Sequence, residues 1–212
     1  MISKKKLLRK SRLYLILDKK TVGRTPLTAV AHKLRNAGAD LVQLRDKNSD
    51  KLETLKDAFR LKRLLEGSRT LFIINDYPDI AAISGADGVH LGQCDGPLKA
   101  ARRLLGKDKI IGVSCHSLKQ GLAAQKNGAD YIGIGPVFKT PTKPGHKAIG
   151  LRELAKFKNN IRIPYFAIGD ISKGNLNLIL SVGVKRAAVC RAVLKAKNPV
   201  GEIKALKKLL NR

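Results

Sequence analysis

Short apolar runs recur along the chain, separated by longer stretches in which apolar and polar positions alternate with helical spacing. The runs cover residues 13–17, 41–44, 71–74, 88–90, 110–113, 131–134, 165–167 and 187–189. Within each run the apolar residues are consecutive rather than alternate, the pattern of strands buried on both faces in a parallel sheet covered by helices. Helical patterns of about 8 to 16 residues fill most of the gaps. In the last of these, residues 199–210 place Ile203, Leu206, Leu209 and Leu210 on one face.

A slow repeat marks the joints. Gly38-Ala39-Asp40, Gly85-Ala86-Asp87 and Gly128-Ala129-Asp130 each follow a helical stretch and precede an apolar run, and Gly183-Val184-Lys185 repeats the arrangement less closely. The glycine ends the helix in a left-handed conformation and the chain turns directly into a buried strand. Eight strands alternating with helices, without a linker between them, predict an α/β fold, a single (β/α)8 TIM barrel over residues 12–212. Residues 1–11 form a basic N-terminal arm or a short extra helix by this reading.

Composition narrows the class. Of 212 residues 43% are hydrophobic, which excludes disorder by composition, and the apolar runs are far too short to span a bilayer. The basic N-terminus lacks a following apolar stretch of signal-peptide length, so a cytoplasmic protein without a membrane partner is expected. Cys94, Cys115 and Cys190 are odd in number and far apart, which argues against a disulfide framework or a zinc site. The formal charge of +27 suits either a nucleic-acid binder or an enzyme of phosphorylated substrates. Aromatic residues make up 4% and no nucleic-acid-binding motif is visible, so small phosphorylated molecules are the expected partners, with no specific nucleic acid and with room for a homo-oligomer.

In such a barrel the catalytic groups sit at the C-terminal ends of the strands. Those ends read Gln43-Leu44-Arg45-Asp46-Lys47, Asn75-Asp76, His90 to Asp95, Ser114-Cys115-His116, the loop from Gly135 to Lys143, Gly169-Asp170 and Cys190-Arg191. Alternation turns Gln43, Arg45 and Lys47 to the same side, and an arginine fork with a lysine suits a diphosphate, although an inward charge pair with a buried carboxylate would read the same way. Asp76 and Asp95 end neighbouring strands and could share a hard cation such as Mg2+, or each could cap a helix. Thr140 and Thr142 lie with Lys143 on a proline-restrained loop, and the ends of the last two strands are the usual phosphate region of these barrels. His116 is a candidate acid or base or a capping residue, and Cys190 reads as packing rather than as a nucleophile.

Taken in order, Gln43 to Lys47, Asn75-Asp76, Gly85 to Asp95, Gly112 to His116 and Gly135 to Lys143 resemble the thiamine phosphate synthase family over roughly residues 12 to 195. The resemblance implies a transferase that joins a hydroxymethylpyrimidine diphosphate to a thiazole phosphate with Mg2+, releasing pyrophosphate. It implies that Gln43, Arg45, Lys47, Asn75, Ser114 and Lys143 hold the pyrimidine diphosphate, with Arg45, Lys47, Ser114 and Lys143 the catalytic set. Asp76 and Asp95 would be the metal ligands, and Thr140, Thr142, Asp170, Cys190 and Arg191 would contact the thiazole phosphate. Three positions depart from the family's habit: Asp170 replaces a glycine, Arg191 a serine, and Tyr77 a frequent arginine. Arg191 could offset Asp170 by pairing with it or by binding the phosphate. Two alternatives stand beside this reading: a thiazole tautomerase of the same superfamily, in which His116 would transfer protons, and a basic, noncatalytic nucleic-acid-binding barrel.

Overall fold

The computed structural model describes residues 3–35, 37–140, 145 and 147–211. Eight parallel strands run in sequence order: β1 (Leu13–Asp18), β2 (Leu41–Arg45), β3 (Leu71–Asn75), β4 (Gly88–Leu91), β5 (Ile110–Cys115), β6 (Tyr131–Ile134), β7 (Tyr165–Ala167) and β8 (Ala187–Val189). Pairing of β8 with β1 closes the barrel, with Leu13 opposite Ala187. Each apolar run is therefore a strand. In β1, β2 and β3 the ladder continues by one residue and carries Asp18, Arg45 and Asn75 into the mouth.

The first half carries α1 (Lys4–Lys10), α2 (Lys19–Val22), α3 (Leu27–Leu34), α4 (Lys51–Leu65), α5 (Pro78–Ile83) and α6 (Leu98–Leu105). The second carries α7 (Leu118–Lys126), α8 (Gly150–Ala155), α9 (Phe157–Asn160), α10 (Leu176–Ser181), α11 (Arg191–Leu194) and α12 (Pro199–Leu210). Local chemistry sets their ends. Asp50 opens α4 by accepting the Glu53 N–H at 2.7 Å, and Asn198 opens α12 ahead of Pro199 in its first turn. On α12 Ile203, Leu206 and Leu210 are buried, while Leu209 lies half-buried at the edge of the face.

Two apolar layers result from strands buried on both sides. The larger lies between strands and helices and takes Leu13, Leu15 and Leu17 from β1; the smaller fills the barrel and takes Tyr14 and Ile16. Inside, Tyr14, Tyr131 and Phe166 meet edge to face with ring centres 5.4–5.8 Å apart, a favourable aromatic geometry. Gly112 makes room for this cluster, because a Cβ there would lie 2.1 Å from the Tyr131 ring. From below, α1 inserts Leu8 into the inner layer, and its Lys4 and Lys5 pair with Asp87 and Asp130 at 2.9 and 3.0 Å.

The Gly-Ala-Asp repeat keys neighbouring strands together. Its glycines have φ of +104°, +71° and +88°. Each aspartate then grips one residue of the preceding strand at both backbone groups. Asp87 donates its N–H to the Phe72 carbonyl at 2.8 Å while its carboxylate accepts the Phe72 N–H at 2.9 Å. Asp40 does the same to Leu13 and Asp130 to Ile111. Lys185 stands at this position before β8, and one residue pair, Ala167 with Ala187, joins β7 to β8. Asp87→Ala leaves the buried Phe72 N–H without its acceptor and is expected to lower the unfolding free energy by about 1–3 kcal/mol. Urea unfolding tests this, and a midpoint equal to that of the parent would refute the clip's role.

Candidate active site

At the C-terminal mouth lies an open cavity of about 100 Å³, lined by Gln43, Arg45, Asn75, Ser114, His116, Thr140, Asp170, Cys190 and Arg191 among others. Candidates separated by up to 148 positions in the chain thus line one cavity. Lys47, Asp76 and Asp95 form a second group, placed beside the cavity by the step from Asn75 to Asp76. Thr142 and Lys143 lie outside the described residues.

The β1 and β2 ends build the cationic side. Asp18 stands opposite Arg45 in the ladder, and the nearly buried Asp18 carboxylate pairs with the Arg45 guanidinium. Asp18 also accepts the N–H and hydroxyl of Thr21, at 2.8 and 2.7 Å. One residue further the charges are reversed. Asp46, turned away from Arg45 by strand alternation, meets Lys19 at 3.1 Å and accepts the Asn48 and Ser49 N–H groups, each at 3.0 Å. Burial works against the Asp46 charge, but these N–H groups and Lys19 outweigh it and hold the carboxyl below its usual range. Lys19 reaches Asp57 and Glu53 as well, at 2.9 and 3.2 Å. The loop that carries Lys47 is therefore tied down on its outer side.

Lys47 pairs with Asp76, whose backbone has φ of +66°, the left-handed region that aspartate tolerates better than most residues. Burial, then a hydrogen bond with Asp95, raises the Asp76 carboxyl to about 6 against the opposing pull of Lys47. Asp95 is held by the Gly92 N–H at 2.6 Å, and a Cβ on Gly92 would lie 2.8 Å from that carboxylate oxygen. Two touching carboxylates met by one ammonium are a donor set that suits a hard divalent cation, which binds through one or two carboxylates and substrate oxygens. Neither aspartate caps a helix: α5 begins after Tyr77, and α6 after Pro97.

On the opposite wall Asp170 has φ of +47°. A glycine adopts that backbone freely and an aspartate tolerates it, so the change at this position keeps the turn. No ion pair joins Asp170 to Arg191 among the described residues, and both line the cavity. Burial, followed by the nearby Asp18 charge, pushes the Cys190 thiol up to about 11, so it is not a thiolate at neutral pH. His116 holds the Gly135 carbonyl through Nδ1 at 2.5 Å.

The floor is polar, and sequence reasoning missed its two tyrosines, Tyr14 and Tyr131. Gln43 Nε2 donates to the Tyr14 hydroxyl at 2.5 Å, and that hydroxyl lies 2.8 Å from the Tyr131 hydroxyl. Tyr131 lies 2.9 Å from His90 Nδ1, and His90 Nε2 is 2.9 Å from Ser114 Oγ. Asp18 and Lys19 were missed too, although Asp18 is the first polar residue after the first apolar run and the strand-end rule reaches it.

Fold and site together define a (β/α)8 barrel whose mouth gathers basic side chains beside a pair of aspartates. The chain belongs to the thiamine monophosphate synthase family, whose model matches residues 13–193. It is 43% identical over 185 residues to a thiamine-phosphate synthase of Clostridium acetobutylicum, covering 87% of this chain and 88% of that one. A longer thiamine-phosphate synthase of Nostoc punctiforme is 42% identical over 206 residues, 97% of this chain; the match spans 58% of that relative's length. In three dimensions the barrel superposes on a thiamine phosphate pyrophosphorylase from Pyrococcus furiosus with a TM-score of 0.87 at 34% identity, covering 97% and 98% of the two chains. No helix among the described residues is long and apolar enough to cross a membrane.

Proposed function

We propose that the barrel condenses 4-amino-2-methyl-5-(diphosphooxymethyl)pyrimidine with 4-methyl-5-(2-phosphoethyl)thiazole, or its carboxylated form, to give thiamine phosphate and pyrophosphate. The observation that carries this reading is the juxtaposition of Arg45, Lys47, Asp76 and Asp95 beside one cavity with a hydrogen-bonding floor. Asp76 and Asp95 would hold Mg2+, which supplies positive charge to the diphosphate oxygens when bound.

Arg45 and Lys47, with Lys143, stabilise the charge that develops on the departing pyrophosphate. Asp18 engages one guanidinium nitrogen of Arg45, and the rest of that planar fork of five donors serves the diphosphate. Gln43, Asn75 and Ser114 hold the pyrimidine so that its methylene carbon faces the thiazole nitrogen. Thr140, Thr142, Asp170, Cys190 and Arg191 hold the thiazole phosphate on the other wall, Asp170 and Cys190 through backbone groups. No enzyme nucleophile is required, in keeping with the protonated Cys190. The rate comes largely from orienting two substrates and excluding water from the pyrimidine cation.

The test is pyrophosphate release by the purified chain, with thiamine phosphate confirmed by mass. Product is expected only when both substrates and Mg2+ are present. Folded protein that releases none under those conditions would overturn the reading.

A further inference from the structure

The end of the barrel opposite the cavity carries positive charge for which a reaction at the mouth has no use. The helices run back along the barrel against the strands, so α3, α4, α6, α7 and α12 present their last turns at that end, and each of those turns is basic. Cations there complement the helix dipoles and need no further explanation. The first helix is different. It lies across this end, with Leu8 among Leu41, Leu71 and Ile110, the first residues of β2, β3 and β5. Arg186 holds it there by donating to the carbonyls of Arg9 and Ser11 at 2.9 and 3.0 Å. Five of the seven residues of α1 are cations, spread over its whole length. The three Gly-Ala-Asp aspartates that edge this face are already engaged: Asp40 meets Lys207, Asp87 meets Lys4, and Asp130 meets Lys5 and Arg102. Lys6, Arg9 and Lys10 are exposed and join no ion pair among the described residues. Lys6 stands three and four positions before Arg9 and Lys10, spacings at which like charges on a helix repel. The helix therefore holds a cluster of charge that costs it stability and that an external anion would relieve.

We infer that α1 and the basic helix ends around it form a docking surface for a nucleic-acid duplex, held through its phosphates without reading of sequence. A duplex presents about one negative charge per 1.7 Å of its axis, which suits cations dispersed over a face, whereas a single small anion needs them gathered in a pocket. On α1 there is no aromatic side chain on which an unpaired base could stack, so a single strand gains nothing over a duplex. Its leucines turn into the barrel end, Leu8 buried and Leu7 packed beside the inner layer, so the helix has no apolar side chain left to enter a lipid surface. The cavity stays open while a duplex is bound, because the two lie at opposite ends of the strands. Docking at this end is independent of the proposed reaction.

The test is fluorescence anisotropy of a short labelled DNA duplex with the full chain, repeated across salt concentrations. Each phosphate contact contributes about −0.9 to the slope of log K against log salt, so the parent should show a slope of about −4 or steeper, the same for two duplexes of unrelated sequence. The triple variant Lys6→Gln, Arg9→Gln, Lys10→Gln should lose about 2 to 3 of that slope and bind at least about tenfold more weakly at about 50 mM salt. Its kcat/KM should equal that of the parent, since these residues lie at the far end of the barrel. A second triple variant, Lys20→Gln, Lys99→Gln, Lys119→Gln, removes the same charge from the first turns of α2, α6 and α7 at the mouth end, and its slope should stay within about one of the parent's. If the first variant does not fold, Lys6→Gln alone is judged by a slope shallower by about one. Equal losses in the two triple variants overturn the assignment to this face. A parent that binds no duplex at about 50 mM salt overturns the docking surface, and so does binding to vesicles of anionic lipid without binding to the duplex.

Discussion

Asp76→Asn should lower kcat/KM for the pyrimidine diphosphate by about a thousandfold, the upper range for loss of one electrostatic partner of a transition state. The side chain keeps its size and its contact with Asp95 but loses the charge through which the pair would hold Mg2+. Stability should not fall with activity. The folded-state pKa of Asp76 lies above its ordinary value, at about 6, so the fold disfavours the charged form, and at neutral pH that charge is a burden on the native state. An asparagine removes it, and the metal-free variant should melt no lower than the parent. Steady-state kinetics across a magnesium titration, with thermal unfolding in chelator, checks both statements. Activity that survives with its magnesium dependence unaltered would refute the metal assignment.

The second large effect belongs to Arg45, where charge and shape can be separated. Arg45→Lys keeps a cation near Asp18 but replaces a planar fork with a point charge, and kcat/KM for the pyrimidine diphosphate should fall by about a hundredfold. Arg45→Met removes the partner of a buried carboxylate and should cost about 3–5 kcal/mol of stability as well, since Asp18 is 2% exposed and would be left uncompensated. Kinetics with each substrate varied in turn, paired with urea unfolding, distinguishes the two. An effect confined to the KM for the thiazole phosphate would place Arg45 on the wrong substrate.

The inward charge pair that the sequence left open at Arg45 and the diphosphate role are compatible in this geometry. Asp18 takes part of the guanidinium and aims the rest. Lys19 restrains the next residue, Asp46, on the other face of the strand end. A two-residue segment of β1 and α2 therefore positions the residues that are expected to meet the diphosphate.

Much of this was legible without coordinates. Consecutive apolar residues mark strands buried on both faces, the Gly-Ala-Asp repeat marks the turns into them, and the polar residues that end each run must gather at one mouth because all strands run the same way. Those are local rules of composition and periodicity. What they could not supply is the face toward which each residue of a buried strand points. In β1, Leu13, Tyr14 and Leu15 are equally apolar by pattern, yet of the three Tyr14 alone enters the barrel, where its hydroxyl meets Gln43 and Tyr131. The pairing of Asp18 with Arg45 depends on the stagger between β1 and β2, and the hub at Lys19 joins positions 19, 46, 53 and 57 across a turn and a helix. Sequence alone determined the barrel, its mouth and the family to which it belongs. The tertiary structure decided which hydrogen-bonding and charged groups meet there, because register and inward direction follow from closing the sheet, a condition imposed on all eight strands together.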